Sequence, residues 1–364
     1  MQIDFNNYDL TNFLVKEGIF CGIPAKLITP NHIGTKFDQS NKIFRSSIWS
    51  LDGVLLSAAF KKFVNAGENP DNFPLPSSLD GTAIVDKIDG SLCCIDYIND
   101  TLSMRTRGTF SVDTAENVSD FYLCLDKYPK ITEWLKNNPN YSLITEITTP
   151  NCRIVIRYGD DPDFWLTGVI NKDDYSLMTQ SDLDKLAVEL GMKRPSSYTF
   201  TSISDLIDNV NKWVGKEGIC LYSKDGQEIW KVKSADYCLK HRLKEEFGNI
   251  EKIIDFFIQC KCPQYQVFLE KISEVVDWET ANEVRGDVSN ICDAYKEVNK
   301  IVHGMQVFVD MVLSPLKTRR EQAEKVLSSY GTTNRAAFVF KTLDKKPLGD
   351  DDLKKLLYQC LKNK

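Results

Sequence analysis

The chain has 364 residues, 42% of them hydrophobic and 26% charged, with a formal net charge of −6. That length suggests two domains, and that composition describes a folded, soluble protein rather than a disordered or fibrous one. The negative balance excludes a generally basic nucleic-acid coat but leaves room for a local basic groove, because phosphate binding depends on where the cations sit. The 11 cysteines and 3 histidines show no zinc-ribbon or redox spacing; the nearest cysteine pairs are Cys93-Cys94 and Cys260-x-Cys262. The start, MQIDFNNYDL, lacks the basic and apolar regions of a secretory signal. No run approaches the roughly 18 apolar residues of a membrane span. The expectation is a cytoplasmic protein with reduced, buried thiols.

From about residue 40 to 235, short strand-like runs alternate with turns. "AIVDKIDGSLCCI" (83–95) is apolar around Lys87, "SLCCIDYI" is followed by Asn99-Asp100 and "LSMRTR", and "CRIVIRY", "FWLTGVI", "GICLYS" and "EIWKVK" continue the pattern. "DFYLCLDKYPKITEWLKNN" and "SDLDKLAVELG" interrupt it with helical spacing. After about residue 240 the strand signals fade. "LKEEFGNIEKIIDFFIQC", "AYKEVNKIVHGMQVFVDMVL", "REQAEKVLSSYG" and "DDLKKLLYQCLK" place apolar residues at helical intervals. An α+β body over 1–240 followed by an all-α domain over 241–364 is therefore expected.

Lys87 is costly in its apolar run unless it is paired, exposed at a rim or chemically used. The Asp89-Gly90 that follows gives a turn signal and a permissive backbone point where a ligand could approach. A second informative stretch is "KEGICLYSKDGQEIWKVKS", where Asp225-Gly226 reads as a two-residue hairpin turn. With Lys224 opposite Gln227, the ladder sets Gly218 opposite Lys233 and Glu217 opposite Ser234. Lys231 and Lys233 then share one face while Trp230 and Val232 take the other. A carboxylate and two ammonium groups gather at one end of the hairpin. The ordinary alternative, a solvated face with weak ion pairs, is the commoner arrangement when such a hairpin stands alone. Glu146 in "TEITTPNCRIVIRY", Arg45 in "FRSSIW" and Lys62 in "FKKFVN" are unremarkable singly.

Taken in order, Lys87-x-Asp89-Gly90, Glu146, Glu217-Gly218 and Lys231-x-Lys233 resemble the motif series of the covalent nucleotidyltransferases, the ligases and capping enzymes. In detail the chain resembles the RNA ligase 1 family of tailed bacteriophages over much of its first 240 residues. "FRSSIWSLDG", "KKFVNAGENP", "KIDGSL", "LSMRTRGTF" and "KEGICLYSKDGQEIWKVKSADY" carry the likeness. The chain departs from the family where Ser46 replaces a glycine, Val64 an aromatic, and Arg105 and Arg107 lysines.

The resemblance implies an ATP-grasp-like nucleotidyltransferase domain of antiparallel sheets with flanking helices, then a helical domain that binds RNA. It implies an ATP-dependent RNA ligase that joins 5′-phosphate and 3′-hydroxyl RNA ends, such as those of a cleaved tRNA, through a lysyl-AMP intermediate and an AMP-capped 5′ end. A DNA ligase or a capping guanylyltransferase is the alternative, and an inactive nucleic-acid-binding fold a third. By resemblance Lys87 is the nucleophile, and Lys231 and Lys233 contact the α-phosphate. Arg45, Lys62 and Arg107 contact phosphates, and Glu146 and Glu217 serve the ribose and Mg²⁺ or Mn²⁺. Asp89 and Gly90 shape the nucleotide loop, Gly218 lies in the site, and Tyr237 falls on a family tyrosine. Attack on phosphorus needs a neutral amine, so desolvation and neighbouring cations are expected to lower the pKa of Lys87. A monomer is the default expectation.

Overall fold

The computed structural model describes residues 1–31, 34–260, 264–276, 281 and 284–362. It divides into two compact units, 1–239 and 240–364. The first is built on three four-stranded sheets. The N-terminal sheet is β1 (Phe13–Phe20), β2 (Ile23–Pro30), β3 (Ser47–Ser50) and β4 (Leu55–Ser57), antiparallel in that order. Its first hairpin lies before residue 40, where strands were not anticipated. Cys21 and Gly22 join its strands with φ of 49° and 80°, as a two-residue primed turn requires.

The second sheet contains β7 (Ser91–Ile98), β8 (Thr101–Arg105), β9 (Tyr141–Thr148) and β10 (Asp163–Asn171), in the order β10-β9-β7-β8. Asn99 and Asp100, both at positive φ, make the turn between β7 and β8. One face of this sheet packs Phe164, Leu166 and Leu143 against α1 (Val118–Lys127), α2 (Lys130–Asn137) and α3 (Gln180–Leu190). The helical run "DFYLCLDKYPKITEWLKNN" is two helices because Pro129, which has no N–H to donate, falls at the junction.

The third sheet, in the order β5-β12-β11-β6, combines β5 (Val64–Asn65), β6 (Ala83–Lys87), β11 (Gly218–Tyr222) and β12 (Ile229–Lys233). Its pairs are antiparallel except β12 with β5, a short parallel contact that departs from the all-antiparallel expectation. Ile219, Leu221, Trp230 and Val232 pack against Leu206 and Val210 of α4 (Ile203–Val210). β6 is an outer strand, and residues 196–198 run along its free side. The Asp86 N–H donates to the Ser196 carbonyl (2.8 Å) and the Tyr198 N–H to that of Ile84 (2.9 Å).

The run "CRIVIRY" is not a strand. Beyond a short turn of helix at Pro150–Cys152 it is irregular, because its backbone donors are used elsewhere. The N–H groups of Val155 and Ile156 both donate to one carboxylate oxygen of Asp89, at 2.7 and 2.8 Å. A carboxylate thus replaces the neighbouring strand.

The second unit is helical throughout its described residues: α5 (Ala235–Phe247), which starts in the first unit, α6 (Ile250–Cys260), α7 (Tyr265–Val275), α8 (Arg285–Phe308), α9 (Arg319–Tyr330), α10 (Asn334–Leu343) and α11 (Asp350–Lys362). Ile253, Phe257, Phe268, Ile291, Val339 and Leu356 belong to one core. Cys260 belongs to α6, whereas Cys262 lies outside the described residues. The ten described cysteines are free thiols. No helix among the described residues is long and apolar enough to cross a membrane.

A buried polar network joins the first two sheets. Asp96 on β7 is fully buried and accepts hydrogen bonds from Ser57 of β4 and Ser142 of β9, with Lys172 Nζ 3.6 Å away. Arg105 on β8, also fully buried, donates to the Ser57 hydroxyl (2.7 Å) and to the Ser46 hydroxyl (2.8 Å) and carbonyl (3.1 Å). Asp96→Ala leaves Lys172 and two hydroxyls uncompensated, so it is expected to destabilise the protein by on the order of 3–5 kcal/mol. Urea unfolding of the full chain measures this.

Candidate active site

The site grows from the register of the third sheet. Gly218 pairs with Lys87 on one side and Lys233 on the other. Two residues along, Cys220 lies between Val85 and Lys231, and two further Tyr222 lies between Ala83 and Ile229. Side chains two apart share a face, so these rows form one floor. The floor runs from lysines at one end to an apolar end at Tyr222 and Ile229. Above it is a cavity of about 650 Å³ whose lining includes Lys87, Cys220, Lys231, Lys233, Glu146 and Arg107. The hairpin register is the expected one, but its turn is wider. Ser223 and Glu228 make the last ladder bond, with Lys224–Gln227 as the loop and Gly226 at φ 74°. The Asp225 carboxylate accepts the Gln227 N–H and the Ser223 hydroxyl that of Glu228, which stabilises the longer turn.

Glu217 is 2% exposed and bridges two lysines: Lys87 Nζ is 2.8 Å from Oε2, and Lys233 Nζ is 2.9 Å from Oε1. Gly218 makes that bridge possible. Its φ is +148°, and a Cβ there would stand 2.0 Å from the Val232 carbonyl oxygen. Lys233 also lies 4.7 Å over the ring of Tyr237, whose hydroxyl donates to Asp89 (2.7 Å). The other Asp89 oxygen holds Val155 and Ile156, and the Asp89 N–H donates to the Tyr158 hydroxyl (2.8 Å). Asp89, 4% exposed, is therefore committed to positioning the loop after Lys87. Gly90 lines the cavity and is also required by packing: a Cβ there would sit 2.3 Å from the Ile147 carbonyl oxygen of β9.

The electrostatics invert one expectation. Burial pulls the Lys87 pKa down, but Glu217 and then Glu146 outweigh it, so the amine is held above its ordinary value. On the floor the lysine pushed down is Lys231, to about 8, by burial and then by Lys233, Arg45 and Lys87, and nearby Lys62 is lowered too, by burial and then by Arg45. Glu146 is raised to about 7 by burial, with Lys87 opposing and Glu217 reinforcing the shift. Lys87 is thus held as an ammonium ion paired with a carboxylate.

Arg45 lines the cavity with its guanidinium 4.5 Å over Phe63, and Lys231 Nζ lies 5.8 Å from the same ring. Lys62 is not on this wall. It lines an adjacent cleft of about 510 Å³ with Lys36, Phe37 and Asn72, its ammonium 5.4 Å from the Phe37 ring. Arg107 reaches the cavity, whereas Arg105 is structural. Ser46, in the glycine position of the resembling family, accepts from Arg105 and donates to the Arg107 carbonyl (2.8 Å), so it fastens the two arginines together. Val64 turns into the core beside Trp230 while Phe63 faces the cavity. Phe63 and Tyr158 were not singled out from sequence. Phe63 sits beside Lys62 in a quoted motif, but nothing local marks Tyr158.

Residues 45–261 match the model of a family described as RNA ligase. The chain belongs to the RNA ligase family. Its general activity is accordingly the joining of RNA, and the DNA ligase and capping alternatives fall away as families. Searching the curated proteins gives no match. Solved structures of Naegleria gruberi RNA ligase are similar in part. Its complex with pyrophosphate and a mutant with ATP and manganese each share 15% identity with this ligase at a TM-score of 0.42. Each alignment covers 66% of this chain and 84% of the other. A second mutant with AMP and manganese shares 16% identity at the same TM-score and coverage.

Protonation of Glu146 gives a stability signature. Its folded pKa, about 7, lies above its ordinary value of 4.5, so the folded state binds the proton more tightly. That contribution is complete below pH 4.5 and is lost as pH rises through 7. Glu146→Gln cannot ionise, so its melting temperature is expected to rise above that of the parent between these pH values and to stay higher beyond them. Scanning fluorimetry of the nucleotide-free protein across this range checks it; parallel curves exclude the assignment.

Proposed function

We propose that this RNA ligase is ATP-dependent and acts through Lys87. The observation that carries the reading is the Lys87–Glu217–Lys233 cluster at the cationic end of a cavity whose far end is apolar. A nucleotide fits that gradient with its phosphates toward Lys231, Lys233 and Arg45 and its base toward Cys220, Tyr222 and Ile229. In the first step Lys87 Nζ forms a bond to the α-phosphorus while the bond from that phosphorus to the pyrophosphate oxygen breaks. Two protons leave the ammonium group: the first passes along the existing hydrogen bond to Glu217 Oε2, the nearest base, at 2.8 Å, and frees the lone pair for attack, and the second goes to the departing pyrophosphate. Lys231 and Lys233 stabilise charge on the non-bridging oxygens as the reaction proceeds. Lys62, in the neighbouring cleft, is placed to receive the departing phosphates. AMP then passes to an RNA 5′-phosphate, and a 3′-hydroxyl attacks that phosphate and expels AMP. Cleaved tRNA is the proposed natural substrate.

Glu146 and Glu217 also suit a divalent cation. Each raises the energy of the other's charge, and added positive charge relieves that. Among the described residues no three histidines, cysteines or carboxylates gather into a metal cage. Mg²⁺ takes one or two carboxylates and completes its shell with water and phosphate oxygens. Glu146 and Glu217 would hold Mg²⁺ or Mn²⁺, which when bound supplies positive charge at the phosphates.

Incubation with α-labelled ATP and Mg²⁺ is expected to give acid-stable label on the protein, abolished in Lys87→Ala. Lys233→Ala is expected to slow labelling by at least about 10²-fold, the scale of losing one charge-stabilising donor. No label from ATP with any divalent metal would sink the proposal, and label from GTP alone would redirect it toward capping chemistry. Ligation assays on cleaved tRNA, single-stranded RNA and nicked duplexes with 5′-phosphates identify the substrate.

A further inference from the structure

The second sheet supplies part of the cavity wall, through Glu146 of β9 and Thr167 of β10. β10 pairs with β9 residue for residue up to Leu166 opposite Thr145, and again from Gly168 opposite Ile144. Thr167 is the extra residue, a bulge that sets both Thr167 and Gly168 against Ile144. Leu166 and Val169 on either side both pack toward the helices. Strict alternation would turn Gly168 that way with Leu166 and leave Val169 on the cavity side. The bulge instead gives the cavity side to Thr167 and Gly168.

Thr167 stands at the apolar end. Glu146 marks the lysine end of β9, and Ile144, two residues along the same face, packs in one cluster with Val85, Tyr222 and Ile229. Phe60 closes this end over Gly168, where a Cβ would stand 2.7 Å from its ring. Phe60, Val85 and Ile229 line it with carbon, and Tyr222 contributes its ring, its hydroxyl lying toward Gln180 outside the lining. Among the described residues of this end, the Thr167 hydroxyl is the side-chain oxygen left to meet a ligand. Its proton is already committed, because Oγ1 donates to the Ile144 carbonyl at 3.2 Å. A carbonyl can only accept, so Oγ1 offers the cavity its lone pairs and no proton.

We infer that Thr167 selects the base of the nucleotide by accepting an N–H of the exocyclic amino group of adenine. The inference rests on the proposed reading of this cavity as a nucleotide site with the phosphates at the lysines. Adenine carries an amino donor where guanine carries a carbonyl oxygen. Against a hydroxyl whose proton is taken, adenine forms a hydrogen bond, whereas guanine sets lone pair against lone pair. Thr167 is thus a specificity-determining residue, distant from the bonds that form and break.

The test uses the full chain and compares ATP, GTP and purine riboside triphosphate, which is ATP without its amino group. Affinity is read by displacement of a fluorescent ATP derivative (mant-ATP), and labelling rates at limiting α-labelled nucleotide should follow the same ratios. The parent is expected to bind ATP about tenfold more tightly than purine riboside triphosphate, the scale of one hydrogen bond. Thr167→Val keeps the branched shape and removes the acceptor. It should bind those two nucleotides within about twofold of each other, and its preference for ATP over GTP should narrow. Thr167→Ser retains the hydroxyl and should keep the parent's preference. If Thr167→Val melts early in scanning fluorimetry, Thr167→Ala takes its place. Equal binding of ATP and purine riboside triphosphate by the parent would overturn the inference, as would an undiminished preference in the folded variant. A parent that binds ATP with this preference but takes no label counts against the lysyl-AMP chemistry and leaves Thr167 in its role.

Discussion

The floor of the candidate site depends on one carboxylate shared between two strands. Glu217 is buried, and its two oxygens are taken by Lys87 from β6 and Lys233 from β12. An isolated buried carboxylate is strongly disfavoured, and so are two adjacent ammonium groups; together they are tolerable. The arrangement requires a residue between the lysines with no side chain, and Gly218 is that residue. It also divides the lysines of the floor, because Glu217 holds the pKa of Lys87 up while Lys231, lacking such a carboxylate bridge, is pushed down.

A second carboxylate performs a different task. Asp89 lies two residues beyond Lys87, yet its oxygens are used on backbone and phenol groups. It replaces the missing strand partner for Val155 and Ile156 and accepts from Tyr237, which in turn supports Lys233. The loop after Lys87 and the lysine across the sheet from it are therefore held by one side chain. The buried Arg105 and Asp96 do the same work farther back, where the sheets would otherwise meet across unsatisfied polar groups.

Much of this was legible because periodicity and turn chemistry are local. The pairing of Gly218 with Lys233 follows from counting back from Asp225-Gly226, and it survives a turn two residues wider than expected, since both sides lengthen equally. What was not legible depended on contacts distant in sequence. "CRIVIRY" has every strand-like residue and is not a strand, because Asp89, more than sixty positions earlier, takes its N–H groups. The β1–β2 hairpin carried only a Cys-Gly turn signal, which passed unread. The pKa of Lys87 could not be inferred from its apolar neighbours, since the deciding group arrives from a strand 130 residues away. Lys62 and Arg45 read as one phosphate-binding pair; they line neighbouring clefts, and the charge of Arg45 still depresses the pKa of Lys62.

That separation also bears on synthesis. β6 emerges early, but its partner strand β11 and the Lys233 that completes the cluster emerge only after most of the first unit has been made. Contacts so far apart in the chain form late. Until then β6 is an unfinished edge carrying an unpaired lysine, and the segment at 196–198 reaches it before β11 does. Residues 196–198, made before β11, cover one side of the Lys87 strand while its other side waits for β11, which leaves one exposed edge rather than two.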